Sequence, residues 1–148
     1  MTLHSALQLA QLKNMLKSNR SRTQKDLIDY WIGVDYLFID EVSMIGCELL
    51  VDINDALIIA KESNEPFGNM SIIFAGDFCQ LLPVRNTRLY ASECSITSKP
   101  SDSLTDNGQK KLKGKFLWGL VETVVLLVTS MRQTGDSNLC FRILLEHL

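Results

Sequence analysis

Three short stretches carry residue types that could do chemistry. In YLFIDEVSM (36–44) an apolar run ends in Asp40 and Glu41. An Asp where a buried strand emerges at its carboxyl end can hold Mg²⁺ directly or through water, because Mg²⁺ prefers hard oxygens and keeps several waters. A neighbouring Glu can orient and deprotonate the water that attacks a γ-phosphate. Standing alone, the pair reads equally well as an acidic strand end facing solvent. In SIIFAGDFCQLLPV (71–84) a second apolar run meets Gly76, Asp77, Gln80 and Pro83. Gly76 permits a sharp turn, and the Gln80 amide can sense a γ-phosphate by hydrogen bonding without cancelling a metal's charge. A lone glutamine in such a place is more often an ordinary strand exit. In LLVTSMRQTGD (126–136) Arg132 follows a third apolar run, where a planar guanidinium could spread transition-state charge. By itself it is a surface arginine.

The elements that must position these residues follow from periodicity. Runs 36–39, 71–75 and 123–128 are short, continuous and rich in β-branched and aromatic residues, which predicts strands of a sheet covered on both faces. Between the first two, residues 46–63 place Leu49, Leu50, Ile53, Leu57 and Ala60 at helical spacing, with Glu48, Asp52 and Asp55 on the opposite face. Strand–helix–strand implies parallel pairing through a crossover. Asn64, Pro66 and Gly68 end that helix. Further helices are predicted over 3–17, 24–32 and 136–148, the last entered from Gly135. Residues 91–113, rich in Ser, Thr, Asp, Asn and Lys, read as a flexible surface insertion.

Composition bounds the class. The 148 residues are 46% hydrophobic and 22% charged, which suits one globular domain with a packed core. No apolar run reaches the roughly 20 residues that span a bilayer, and the N-terminus is unlike a signal peptide. Cys47, Cys79, Cys94 and Cys140 are scattered, and His4 and His147 sit at opposite ends, which argues against a zinc site or disulfide framework and for a reducing, intracellular setting. A formal charge of −2 argues against nucleic-acid binding through bulk positive charge alone, though not through a narrow basic track.

Taken in order, TLHSAL, FIDEVSM, IIFAGDFCQLLPV and LVTSMRQ resemble the Pif-one family of superfamily-one DNA helicases, relatives of bacterial RecD. The closing FRILLEHL is similar to the helix that follows the family's arginine motif. GKFLWGLVETVVLL resembles the variant in expanded helicase-like genes of fungal genomes, some tied to transposons. The resemblance covers nearly the whole chain outside 91–113.

The resemblance implies an α/β fold: part of a RecA-like P-loop NTPase domain, three layers (αβα) around a mainly parallel sheet. Asp40 and Glu41 would be the Walker B pair, with Asp40 on Mg²⁺ and Glu41 activating water. Gln80 would couple γ-phosphate status to DNA contacts, Arg132 would contact the γ-phosphate, and Thr2, His4 and Ser5 would match a T-x-H-S segment on the single-stranded DNA side. The reading of His4 as a residue that packs or caps a helix start stands beside this. The implied activity is ATP-dependent 5′-to-3′ translocation on single-stranded DNA with duplex unwinding, serving repair, recombination and telomere maintenance in the nucleus or the mitochondrion. No GxxxxGK[ST] occurs in the 148 residues, so the lysine-bearing loop that cradles the β- and γ-phosphates is not among them. The sequence is expected to start just after that loop. The alternative is an inactive, truncated or transposon-derived remnant that acts at most as a weak binding module.

Overall fold

The computed structural model describes residues 3–7, 21–92 and 105–129. Its first helix, α1 (Leu3–Ala6), is the part of the predicted 3–17 helix that falls within them. The predicted 136–148 helix lies outside them. Helix α2 (Ser21–Trp31) is amphipathic: Leu27 and Trp31, one turn apart, are buried, while Gln24, Lys25, Asp26 and Asp29 face water. The Trp31 indole nitrogen donates to the Ala6 carbonyl at 3.3 Å, which anchors α1. At the end of α2, Lys61 Nζ donates to the Trp31 carbonyl at 3.1 Å and also to the Val34 carbonyl. A cation there complements the negative end of the helix.

Strands β1 (Tyr36–Ile39) and β2 (Ser71–Phe74) pair in parallel, with Tyr36 opposite Ser71 and Ile39 opposite Phe74. Helix α3 (Cys47–Ala60) connects them and forms the centre of the core through Leu50, Val51, Ile53, Ala56, Leu57 and Ala60. Full burial of such a side chain contributes about 1.5–3 kcal/mol. Leu37, Ile39, Ile72 and Phe74 point into this core. Asn54 is buried as well, but satisfied: its Oδ1 accepts from the Phe67 amide at 2.9 Å and its Nδ2 donates to Asp55 Oδ1 at 3.0 Å. That bond holds the turn Pro66–Asn69 that leads into β2.

Two expectations change. The insertion expected over 91–113 is helical from Asp106 onward: α4 (Asp106–Gly119) begins at Thr105, whose Oγ1 accepts from the Gly108 amide at 3.1 Å. It docks on α3, and the acidic face of α3 that looked solvent-facing is what receives it. Lys110 pairs with Asp52, and Lys113 with Asp55 at 2.7 Å. Gly114 lies so close that a Cβ there would sit 2.2 Å from the Cys47 carbonyl oxygen.

The second change concerns the sheet. Residues 123–128 form no strand and have no ladder partner among the described residues, and Leu127 is 92% exposed. The sheet has two strands there, packed on one face only. Tyr36, Phe38 (62% exposed) and Ile73 point away from the core. The α/β class and parallel pairing hold, whereas the second helical layer of a three-layer domain is not seen among the described residues.

Candidate active site

The two strands leave the sheet side by side, and the backbone continues to pair past their ends. The Ala75 amide donates to the Ile39 carbonyl at 2.8 Å, and the Val42 amide to the Ala75 carbonyl at 2.9 Å. Between these bonds lie Asp40 and Glu41. Asp40 Oδ1 accepts from the Glu41 amide at 2.8 Å, which orients the carboxylate at the carboxyl edge of the sheet. Glu41 adopts a left-handed conformation (φ 55°, ψ 47°), a cost of about 1–2 kcal/mol for a residue with a Cβ. That turn throws the Glu41 side chain out while Val42 returns to bond β2. Both carboxylates are exposed.

The β2 exit is shaped to fit against this turn. Gly76 has φ 141°, and a Cβ there would lie 2.8 Å from the Val42 amide nitrogen and 3.2 Å from the Glu41 Cα. A glycine is required on both counts. Asp77 then closes a tight turn: its Oδ1 accepts from the Cys79 amide at 2.8 Å, and its carbonyl from the Gln80 amide at 3.1 Å. Gln80 thus leaves from the same edge as Asp40 and Glu41, with its side chain exposed. The structure therefore brings Asp40, Glu41 and Gln80 to one sheet edge. Ser5 lies in α1 and is exposed. Thr2 and Arg132 fall outside the described residues, and of His4 only the backbone, in α1, lies within them.

The segment after Gln80 is tied back to α3. Gly46, the residue before α3, has no side chain to cap it; Asn86 supplies the acceptor, its Oδ1 taking the Glu48 amide at 3.2 Å. The Cys47 amide donates to the Thr87 carbonyl at 2.8 Å, and Glu48 Oε2 accepts from the Thr87 amide at 3.1 Å. Burial pushes the Cys47 thiol above its ordinary value, the Glu48 charge adds to this, and Lys115 and Lys111 oppose it. Its Sγ rests 3.5 Å from the Arg88 carbonyl oxygen, so it is a packed thiol and not a nucleophile.

Sequence reasoning passed over a file of aromatic rings beneath this edge. Phe67, Phe74, Trp118, Phe78 and Tyr90 meet edge-to-face in turn, at 6.5, 5.4, 5.7 and 5.2 Å between centroids. The Arg88 guanidinium lies 5.9 Å from the Tyr90 centroid. The available signal was compositional: residues 78–92 hold two arginines, two aromatic rings and no carboxylate.

Comparison with known proteins identifies the family. The profile described as PIF1-like helicase matches residues 1–139. ATP-dependent DNA helicase RRM3 of Saccharomyces cerevisiae is 36% identical over 63 residues, which is 43% of this chain and 9% of that protein. ATP-dependent DNA helicase PIF1 of Candida albicans is 33% identical over 87 residues, 56% of this chain and 9% of that protein. ATP-dependent DNA helicase Pif1 of Bdellovibrio bacteriovorus is 35% identical over 88 residues, 58% of this chain and 20% of that protein. The matched part is thus between 9% and 20% of the length of these curated relatives. The crystal structure of Pif1 helicase from Candida albicans matches with a TM-score of 0.63 at 23% identity, over 99% of this chain and 29% of that one, a likeness of fold. The α/β unit is accordingly part of a RecA-like domain, and the chain belongs to the PIF1-like helicase family.

Proposed function

We propose that this chain forms the hydrolytic and coupling part of an ATP-driven motor that moves 5′ to 3′ on single-stranded DNA and unwinds duplex. The observation that carries the reading is the bonded pair of strand exits, 40–42 and 75–77, which presents Asp40, Glu41 and Gln80 at one sheet edge. In this reading Glu41 accepts the proton of the attacking water, Gln80 reports γ-phosphate status to the DNA side, and Arg132 spreads charge on the γ-phosphate. Thr2, His4 and Ser5 contact the single strand. Asp40 fits Mg²⁺: one Oδ1 lone pair is taken by the Glu41 amide, and the remaining oxygen sites suit a cation held by one carboxylate, waters and phosphates. Among the described residues there is no cluster of three or more metal-ligating side chains. When bound, Mg²⁺ neutralises charge on the β- and γ-phosphates. Genome maintenance, in repair, recombination or at telomeres, and a nuclear or mitochondrial site of action belong to the same proposal. No helix among the described residues is long and apolar enough to cross a membrane.

A second reading is a non-catalytic remnant that binds weakly; GxxxxGK[ST] is not among the 148 residues. Both readings expect the isolated chain to turn over negligible ATP. A chimaera separates them, with this chain replacing the matching stretch of the Candida albicans helicase downstream of that protein's own phosphate loop. The motor reading expects ATPase activity stimulated by single-stranded DNA, falling about 10²–10⁴-fold in Glu41→Gln. A folded chimaera without stimulated turnover would select the remnant.

A further inference from the structure

Helix α4 docks through one side and presents apolar residues on the other. Lys110, Gly114 and Leu117 are on the side that meets α3 and the core. Leu112 and Phe116 come two residues after Lys110 and Gly114, about 200° further around the helix, so they project away from α3. Leu120, at the end of the helix, continues their row. All three are exposed, Phe116 by 66%, where a water-facing helix ordinarily carries polar residues. Single exposed apolar residues need no explanation, but this row leads into a cleft. The cleft, of about 320 Å³, is walled by Pro66, Phe67, Met70, Ile72, Phe74 and Leu120 itself.

Charge marks one flank of the row. Of the four lysines of α4, Lys110 and Lys113 pair with Asp52 and Asp55 on α3. Lys111 and Lys115, half-buried and one turn apart, have no such partner among the described residues. None of the positions three or four residues from either of them on α4 holds an acid. Across the helix contact, Glu48 acts with both lysines on the Cys47 thiol, and its carboxylate is engaged by the Thr87 amide. The other acid of this surface, Glu122, stands at the cleft, at the far end of the row.

We propose that the outer face of α4 is a docking surface for an acidic amphipathic helix of a partner protein. Apolar residues of that helix, one turn apart, lie along Leu112, Phe116 and Leu120, and an anchor side chain at one end enters the cleft. Its carboxylates lie over Lys111 and Lys115. Glu122 repels an acid at the anchor end and favours a cation there, so the partner is acidic along the row and neutral or basic at the cleft. A second copy of the chain is the poorer occupant, because its α4 would bring four more lysines and a single acid, Asp106. The proposal goes beyond the motor reading and does not rest on it, since the surface shares no residue with Asp40, Glu41 and Gln80.

The test uses the 148-residue chain fused to a solubility partner. A displayed library of helical peptides about 16 residues long, enough to run the length of α4, is selected on it with counter-selection on Phe116→Lys. Enriched peptides are expected to carry apolar residues one turn apart, flanked on one side by Asp or Glu. In fluorescence anisotropy, a synthetic copy of the most enriched peptide should bind Phe116→Ala about tenfold more weakly than wild type. The double variant Lys111→Glu, Lys115→Glu should lose about as much, and selection repeated on it should return peptides rich in Lys or Arg. Thermal unfolding of each variant guards against misfolding. No enrichment over Phe116→Lys, enriched peptides without acidic bias, or unchanged affinity in the double variant would each overturn the docking surface. Two further measurements read the other occupants. A wild-type dimer in sedimentation velocity that Phe116→Lys dissociates would assign the face to a second copy. A chimaera carrying Phe116→Lys that melts well below the unsubstituted chimaera, while the isolated chain is unaffected, would show that the helicase scaffold covers the face. Either result would overturn the partner, and neither bears on DNA-stimulated turnover, by which the motor reading is judged.

Discussion

Glu41, the proposed base, shows at the scale of one residue how a position suited to chemistry and a stable one differ. Its left-handed backbone is imposed by Val42, whose amide must reach the Ala75 carbonyl within one residue of the strand end. Glycine would adopt that conformation without strain, so Glu41→Gly is expected to raise stability by up to about 1 kcal/mol, or about 2–4 °C in melting temperature. Glu41→Gln keeps the strain and removes the proposed base, so its melting temperature should match wild type while chimaera turnover collapses. A Glu41→Gly variant that melts well below wild type would show that the Glu side chain itself supports the turn. Gly76→Ala is the opposite case, since its Cβ would press on Val42 and Glu41. It should cost roughly 1–3 kcal/mol in chemical denaturation, by the usual penalty for overfilling a packed site. The Asp40–Glu41 pair was legible in the sequence as an acidic step after an apolar run. Its geometry was not, because the left-handed turn arises from the bond to a strand more than thirty residues away. Phe78 and Tyr90 were missed for a related reason: their spacing follows neither a helical nor a strand period, and only the fold brings them to Trp118.

At the scale of elements, α3 is the hub, and its two ends are secured by residues distant in sequence. Asn86 caps its start, Lys61 just past its end ties α2 and the approach to β1, and α4 lies along its acidic face. The exposed Lys113–Asp55 pair contributes at most about 1 kcal/mol, and neutralising it should change stability little. The close approach at Gly114 matters more. A methyl group there would meet the Cys47 backbone, which cannot yield without lifting α4 from the capped start of α3. Gly114→Ala is therefore expected to destabilise by about 1–3 kcal/mol and to raise proteolytic cleavage within 105–119, whereas Gly119→Ala, with open space around it, should behave as wild type. Equal protease resistance in the two variants would refute this account of the α3–α4 contact. Helices α2 and α3 and both strands could be read from periodicity because each buries one regular face. Helix α4 could not: Leu112, Phe116 and Leu117 form no regular stripe, its glycines argue against a helix, and its docking charges complement an acidic face that looked like solvent surface.

On the scale of the whole molecule, the described residues leave apolar surface that a closed domain would cover. One face of the sheet presents Tyr36, Phe38 and Ile73, and the apolar run Val124–Val128 is exposed along its length. β1 and β2 pair with each other, so among the described residues the outer edge of each carries backbone groups without a ladder partner. The run was read as a third strand from its composition, and that composition remains suited to one; strand propensity, however, yields a strand only where a partner edge is available. Exposed edges and apolar patches of this kind drive chains together. The 148-residue chain is therefore expected to self-associate with rising concentration in sedimentation velocity, with increased intermolecular β signal in the infrared amide band. Val125→Lys with Leu127→Lys should shift the distribution toward monomer, because both side chains are in solvent already and the charges cost the fold nothing. Phe38→Lys tests the sheet face separately, and an additive effect with the double variant would mean that the two surfaces act independently. A wild-type chain that sediments as a monomer across the micromolar range would show that these surfaces are covered within the chain itself. In the active chimaera the same substitutions carry a second expectation: if the helicase scaffold covers the sheet face, Phe38→Lys should destabilise the chimaera while it improves the behaviour of the isolated chain.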